Sequence, residues 1–165
     1  MAGPLVQFEI TLAGESAFRD WIAGRIAAVE NLRSWFEQLA TDFYAFETAV
    51  FAAEGAHEGL PGWKSLTEKY ARWKNRRHAG ARILVQTGAL RDALTDRGAP
   101  GAIYELTDDY LRMGADRRTA DGRWNIGWLH QRGTANMPAR PPLRLSNLRI
   151  KRWISLLAAH IRGET

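Results

Sequence analysis

The sequence predicts an α+β protein in which a long N-terminal amphipathic helix and shorter helices pack on a small, mostly antiparallel sheet. Three patterns predict this class. Residues 5–12 alternate apolar and polar side chains, residues 18–50 repeat apolar side chains at steps of three and four, and residues 102–113 hold two short strand-like runs. A chain of 165 residues can bury its own core, and we expect one domain over residues 1–165.

The alternating segment at 5–12 is predicted to be a half-buried strand, and the long helix follows it. Apolar residues from Phe18 to Val50 form one stripe, and Glu47 is among the charged residues expected on the other faces. Gly24 is a candidate break between two helices, and Gly55 is a stop signal. The stripe fits a coiled-coil seam or a helix lying on a sheet. We favour the second because the flanking segments look like strands.

Short elements are predicted in the middle of the chain. A Gly-rich loop covers residues 55–62, and a basic helix runs from Ser65 to Arg77, with Ser65 and Glu68 as a capping box. Residues 83–85 are predicted as a short strand and residues 89–94 as a helical turn. A β-hairpin pairs residues 102–106 with residues 110–113.

The C-terminal third is predicted to alternate loops and helices. Residues 115–123 form an exposed loop, residues 124–131 a short amphipathic segment, and residues 133–142 a Pro-bearing loop. A helix from about 146 to 162 ends the chain. Its expected apolar side comprises Ile150, Trp153, Ile154, Leu157 and Ile161.

Composition limits the possible functions. The absence of cysteine excludes disulfides, thiolate zinc sites and a Cys nucleophile. We see no signal-peptide pattern and no apolar run near the roughly 20 residues that span a bilayer, so we expect a soluble protein made in a cytoplasm, with no membrane partner. The net charge of +5 permits contact with phosphate or with an acidic protein. Seven Trp suit a core or an interface equally well.

Residues that carry catalysis are not clustered in the sequence. The four histidines, at 57, 78, 130 and 160, are far apart in the sequence, and no two of them lie at helical metal-site spacing. Asp108 and Asp109 fall in the predicted hairpin turn, where such residues bond nearby backbone. No phosphate-binding loop or nucleophile elbow is present. We therefore expect neither an enzyme nor a bound cofactor or metal.

A basic stretch covers residues 64–82 and interleaves with Trp63, Tyr70 and Trp73. Cations and rings in this order are typical of a nucleic-acid surface. The spacing favours a solvated basic helix with its aromatic residues in the core, because Leu66, Tyr70 and Trp73 fall on one face, opposite most of the cations. A basic nucleic-acid-binding protein therefore remains an alternative function. The cations predicted to face DNA or a partner are Lys74, Arg76, Arg77 and Arg82.

Four motifs follow one another between Trp63 and Leu145. The first places Trp63, Leu66 and Tyr70 in a Trp-x-x-Leu-x-x-x-Tyr run, and the third is the run His130-Gln131-Arg132-Gly133. The second motif, Leu-x-x-Thr-Gly-x-Leu-Arg, comprises Leu84, Thr87, Gly88, Leu90 and Arg91. The fourth, Pro-Ala-Arg-Pro, comprises Pro138, Ala139, Arg140 and Pro141. In this order the motifs resemble those of phage virion-morphogenesis (tail-completion) proteins.

This resemblance has two departures and no match in the first 60 residues. Ile126-Gly127 stands where the family often has Tyr-Ala, and Pro142-Leu143 stands where an aromatic residue is common. These differences affect local packing more than the assignment. We expect the motif residues to be mainly architectural, with Gly88 supplying a turn conformation and His130 and Gln131 bonding backbone near the Pro-rich loop.

The resemblance implies a structural virion protein of a tailed phage, located at the neck or the head-proximal end of the tail. It implies a homo-oligomeric ring, with a hexamer expected, that surrounds the DNA channel and contacts other neck, connector or tail-tube proteins. Assembly would take place in the host cytoplasm. Non-specific contact with packaged DNA is compatible with the basic charge.

Overall fold

The computed structural model describes residues 15–164, and the strand predicted at residues 5–12 lies outside them. Within the described residues, six helices and one two-stranded antiparallel sheet confirm the α+β class. In chain order the elements are α1 (Glu15–Glu30), α2 (Arg33–Ala52), α3 (Glu68–Arg77), α4 (Ala89–Thr95), β1 (Ala102–Leu106), β2 (Leu111–Ala115), α5 (Ile126–Arg132) and α6 (Asn147–Arg162).

The long apolar stripe is divided between α1 and α2, and the break is at Asn31 and Leu32. Gly24, the predicted break, lies inside α1. The amide of Leu32 donates a hydrogen bond of 2.9 Å to the carbonyl of Asp108 in the β1–β2 turn. The hairpin thus fixes the point where the two helices separate, which no local glycine signal could indicate.

The core lies between α2, α4 and the segment around Trp63. It contains Phe46, Val50, Phe51, Trp63, Leu90 and Leu94. Helix α2 packs against α4 and α6, while α4 packs against both strands. Tyr44 of α2 approaches Tyr104 of β1, with 6.4 Å between the ring centroids. The apolar stripe of α2 therefore faces helices along most of its length and reaches the sheet at one end.

Glu47 lies on the buried side of α2, whereas the sequence pattern placed it on another face. Its side chain is 0% exposed, and neither carboxylate oxygen has a hydrogen-bond partner among the described residues. It is four residues after Phe43 and three before Val50, so helical geometry puts it on the stripe. Burial raises the pKa of Glu47 to about 8, and the charge of Arg144 opposes this shift.

Two short predictions are corrected around the basic helix. The N-cap of α3 is Thr67, whose Oγ1 accepts from the amide of Tyr70, and Ser65 lies outside the helix. Residues 83–85 form a turn instead of a strand, and Leu84 has a φ of 59°. There the amide of Ile83 donates to the Glu54 carboxylate at 2.7 Å, and that of Val85 donates to the carbonyl of Arg82. The amides therefore find partners without a neighbouring strand.

Helix α6 follows the predicted bounds and is held by charged contacts to α2 and the loop after it. Ser146 is its N-cap and accepts from the amide of Arg149. The guanidinium of Arg149 bonds Asp42 at 2.6 Å and also the carboxylate of Glu58. Trp153 Nε1 donates to Asp42 at 2.7 Å. These bonds lower the pKa of Asp42, although burial opposes the shift.

Helix α1 has few contacts, and most of them are with α6. The guanidinium of Arg25 donates to the carbonyl of Ile161, and Nε2 of His160 lies 3.0 Å from the carbonyl oxygen of Ala28. Nearly every described side chain of α1 is exposed. No described helix is long and apolar enough to cross a membrane.

Candidate functional site

The four sequence motifs meet at one cavity of about 520 Å³, which we call the motif cavity. Its walls come from α3, the turn before α4, helix α5 and the Pro-bearing loop. Each of the four motifs contributes at least one lining residue. The predicted surface cation Lys74 also lines the cavity. The motif residues on its surface are Leu66, Tyr70, Leu84, Thr87, Gly88, Leu90, His130, Pro138 and Arg140.

Arg140 joins the fourth motif to the first. It is 5% exposed, its Nη2 donates to the carbonyl of Ser65 at 2.8 Å, and its Nε donates to the carbonyl of Lys64. In return, a residue of the first motif donates to the fourth: Trp63 Nε1 donates to the carbonyl of Pro141 at 2.8 Å. Since charged donors make strong hydrogen bonds, these contacts hold the start of α3 against the Pro-Ala-Arg-Pro segment.

Lys74 is buried, although the sequence suggested a cation facing DNA or a partner. It is 4% exposed, and its ammonium group donates to the carbonyl of Arg82. Burial lowers the pKa of Lys74, the nearby Arg140 lowers it further, and Glu54 acts in the opposite direction. A side chain in this position is out of reach of a phosphate backbone and belongs to the motif cavity.

The His-Gln-x-Gly motif is placed by the end of α5 and by the Pro-bearing loop. The side chain of Gln131 forms two hydrogen bonds with Leu143: Nε2 donates to its carbonyl at 2.9 Å, and Oε1 accepts from its amide. The amide of Arg140 donates to the carbonyl of His130. The expected bonding to backbone is therefore made by the Gln131 side chain and by the main chain of His130.

The His130 imidazole lines the motif cavity. Its Nδ1 is buried and has no partner among the described residues. Burial lowers the pKa of His130, and the charges of Arg140 and Lys74 lower it further. Within the described part of the protein, this ring therefore stays neutral at pH 7 next to two buried cations.

Two motif glycines have backbone roles. Gly88 precedes α4 with a φ of 86°, in the left-handed region that glycine favours. Gly133 has a φ of 74°, and a Cβ there would lie 2.6 Å from the amide nitrogen of Ala139. The turn conformation expected of Gly88 is present. Gly133 is required where the chain after α5 passes close to the Pro-Ala-Arg-Pro segment.

The remaining candidate residues lie outside the motif cavity. Arg91 forms an exposed ion pair with Asp92 at 2.7 Å. Arg76 and Arg77 are exposed on α3, and the guanidinium of Arg77 lies over the ring of Trp73 at 4.8 Å. Arg82 is exposed, but one end of its guanidinium donates to the carbonyl of Ala52. Of the four predicted surface cations, Arg76 and Arg77 are thus the most open to a partner.

Sequence reasoning missed the basic residue Arg117 and the apolar residues Ile126 and Met137 in the cavity wall. Arg117 follows β2 in a segment that was predicted to be an exposed loop. Its Nη1 donates to the carbonyl of Pro100 at 3.3 Å, and its Nε is buried without a partner among residues 15–164. A local pattern contains no signal for this, because the hairpin brings Arg117 to the cavity.

The chemistry available at the cavity is binding by basic and apolar groups. Across residues 15–164, no group of three or more His, Cys, Asp or Glu side chains could hold a metal ion.

Neither a protein-family model, nor a curated protein, nor a solved structure matches this chain.

Proposed function

We propose that this chain is a structural virion protein of a tailed bacteriophage, which completes the tail or neck as a homo-oligomeric ring around the DNA channel. The observation that carries the proposal is the outer face of α1, defined by Phe18, Trp21, Ile22, Ile26 and Val29. Four of these side chains are more than half exposed: Phe18 at 58%, Trp21 at 56%, Ile26 at 52% and Val29 at 54%. Residues 18, 22, 26 and 29 share one side of a helix.

An apolar helix face of this kind is typical of an assembly contact, and this supports the proposal. Phe18 and Trp21 stack with ring centroids 6.1 Å apart, so two exposed aromatic side chains lie together on this face. Helix α6 adds Leu148 at 64% exposure and Ile154 at 61%. Monomeric proteins rarely expose clustered large apolar side chains, and a closed ring requires two different contact surfaces on each subunit. The ordered series of motifs that resembles tail-completion proteins supplies the phage context.

The test is electron microscopy of lysates from a phage that carries this gene with an early stop codon. We expect filled heads beside separate tails, which places the protein at the joining step. Tails of irregular length would assign it to tail termination, within the same class. Normal infectious particles would contradict the proposal.

Complementation of that phage with variants tests directly whether the outer face of α1 is an assembly contact. Plasmid-borne wild-type protein should restore infectious particles. Ile26→Glu should fail, because a carboxylate on the outer face of α1 opposes burial against a neighbour. Asp20→Asn is the matched control on the same exposed helix and should restore particles. Equal restoration by both variants would show that this face is not an assembly contact.

The second candidate is a basic nucleic-acid-binding protein, and the exposed side of α3 favours it. Tyr70 and Trp73 stack with centroids 5.3 Å apart, and Arg76 and Arg77 extend from the same helix. Binding of a DNA duplex should be measured over a series of salt concentrations, since phosphate contacts make affinity fall steeply with salt. Submicromolar binding at physiological salt that is lost in Arg76→Ala/Arg77→Ala would favour this candidate over the first.

A further inference from the structure

The lining of the motif cavity is basic and contains no carboxylate among its described residues. Lys74, Arg117, His130 and Arg140 all contribute to it. Glu54, whose charge acts on Lys74, lies outside the lining and accepts from the amide of Ile83 at 2.7 Å. Grouping basic side chains without an acid costs free energy, because their charges repel and burial removes water from them.

The internal contacts account for only part of this basic group. Arg140 is explained by its bonds to the carbonyls of Lys64 and Ser65. Lys74 is 4% exposed and donates to the carbonyl of Arg82, yet an ammonium group carries three N–H bonds. The Nε of Arg117 and the Nδ1 of His130 are buried without partners within residues 15–164. Buried polar atoms in this state call for a partner such as water, an ion or a ligand, and here two of them belong to basic side chains that line one cavity.

The rest of the lining is apolar. Leu66, Leu84, Leu90, Ile126 and Met137 form much of the wall. A volume of about 520 Å³ is typical of a small-ligand pocket. An inorganic anion would leave the apolar wall uncovered, and a nucleic-acid strand is too large for the space. The lining fits an anionic head attached to an apolar body.

We propose that the motif cavity is a binding site for a carboxylate carried on an apolar chain, with Lys74 and Arg117 bonding the carboxylate oxygens. His130 lines the same cavity, and the leucines, Ile126 and Met137 receive the apolar part. The carboxylate comes from a free organic acid or from an acidic side chain in a partner polypeptide. The inference depends on the geometry of this cavity and stands apart from the phage role.

The first test is an NMR titration of the full-length protein with 4-phenylbutyrate and with its uncharged analogue, 4-phenylbutyramide. The acid should give saturable shifts at the amides of Thr87, Gly88 and Leu66. The amide should bind about tenfold more weakly, as expected when one charge-assisted hydrogen bond is lost. Equal binding of the two compounds, or an absence of saturable shifts around the cavity, would overturn the proposal. This comparison uses only the wild-type protein.

A pair of variants tests whether the charge of Lys74 is responsible for binding the carboxylate. Lys74→Met keeps an unbranched apolar side chain of nearly the same length and removes the ammonium group, and it should weaken binding of the acid by about tenfold. Lys69→Met, at an exposed position on the same helix, should bind as the wild type does. Circular dichroism checks that both variants are folded. A folded Lys74→Met protein with unchanged affinity for the acid would count against the assignment.

A second ligand distinguishes the two sources of the carboxylate. An acetylated and amidated Leu-Glu-Leu peptide presents its carboxylate on a side chain, as a partner protein would. Tighter binding of this peptide than of 4-phenylbutyrate supports a polypeptide partner, and the reverse supports a free acid. Failure of both to bind overturns the inference.

Discussion

The two ends of the molecule differ in how completely the chain covers its own apolar side chains. At one end, Phe46 and Leu94 are 1% exposed, and Trp63 fills the space between α2 and the Pro-bearing loop. At the other end, α1 contacts α6 through a few polar bonds and leaves Phe18 and Trp21 more than half exposed. Among the described residues, the first end covers its apolar side chains with its own contacts, whereas the second leaves an apolar helix face exposed, which is what the proposed ring subunit requires.

The sequence motifs follow the same division. All four lie at the buried end, around the motif cavity and Trp63. The outer face of α1 matches no motif. The proposed relation to tail-completion proteins therefore depends on the buried end, while the proposed assembly depends on a different part of the molecule. The predictions below test these two ends separately.

The largest effect is expected at Trp63. Its ring is 7% exposed and packs edge-on against Phe51, with centroids 5.2 Å apart. Trp63→Ala should lower the free energy of unfolding by about 3–5 kcal/mol, because it removes core surface and leaves a cavity. Urea denaturation monitored by circular dichroism measures the loss.

Trp63→Phe is the matched control for this change. It keeps an aromatic ring near Phe51 and removes the hydrogen bond to the carbonyl of Pro141, so the loss should be nearer 1 kcal/mol. If Trp63→Ala cost no more than Trp63→Phe, the core would not be centred on this ring.

The second effect concerns the pH dependence caused by Glu47. Burial raises its pKa in the folded protein to about 8, from an ordinary value of 4.5. The folded protein thus keeps a proton that the unfolded chain releases, and stability falls as pH rises from about 4.5 to about 8. At pH 7 the accumulated loss is about 3 kcal/mol. Glu47→Gln should flatten this part of the profile in urea denaturation at several pH values.

Glu37→Gln, on an exposed part of the same helix, controls for the loss of a negative charge. Its stability profile should keep the wild-type slope between pH 5 and pH 8. A Glu47→Gln profile that also keeps this slope would mean that water reaches Glu47 and that the carboxylate is ionised in the folded protein.

Local patterns predicted the elements whose signals lie within a few residues. Ser146 and the apolar spacing after it indicate α6, and Thr107-Asp108-Asp109 indicates the hairpin turn, as the structure has them. The errors occur where a distant group decides the outcome. Glu54 takes the amide of Ile83 and prevents a strand, and the carbonyl of Asp108 fixes the break after α1.

The same limit applied to the motif cavity. The motifs named half of the residues that line it, because each motif is a short local run. They did not indicate that the runs meet, nor that Lys74 is buried and bonded to Arg82. Spacing alone makes Lys74 look like its exposed neighbours on α3. Its burial depends on the chain returning through residues 82–84 and 138–140.

The third prediction tests whether the backbone of the Pro-bearing loop passes too close to Gly133 for any side chain there. A Cβ at this position would lie 2.6 Å from the amide nitrogen of Ala139 and 2.8 Å from the carbonyl oxygen of Met137. Gly133→Ala should cost about 1–3 kcal/mol of unfolding free energy, from the positive φ and from the clash with backbone. Gly122→Ala is the matched control, because Gly122 has a φ of 71° and nothing within 4 Å of its Cβ position. If both variants lost the same amount of unfolding free energy in thermal denaturation, the clash with the backbone would not be the cause.

The smallest effect on the isolated chain is expected at the outer face of α1, and there the two ends of the molecule differ most. Trp21→Ala should change the unfolding free energy of the monomer by at most about 0.5 kcal/mol, since its ring is 56% exposed. Its effect on assembly should be large, because exposed Trp residues are frequent hot spots of interfaces. Sedimentation velocity over a range of protein concentrations measures this, and Trp21→Ala should move the distribution towards monomer. A wild-type protein that stays monomeric at every concentration would contradict self-association through this face.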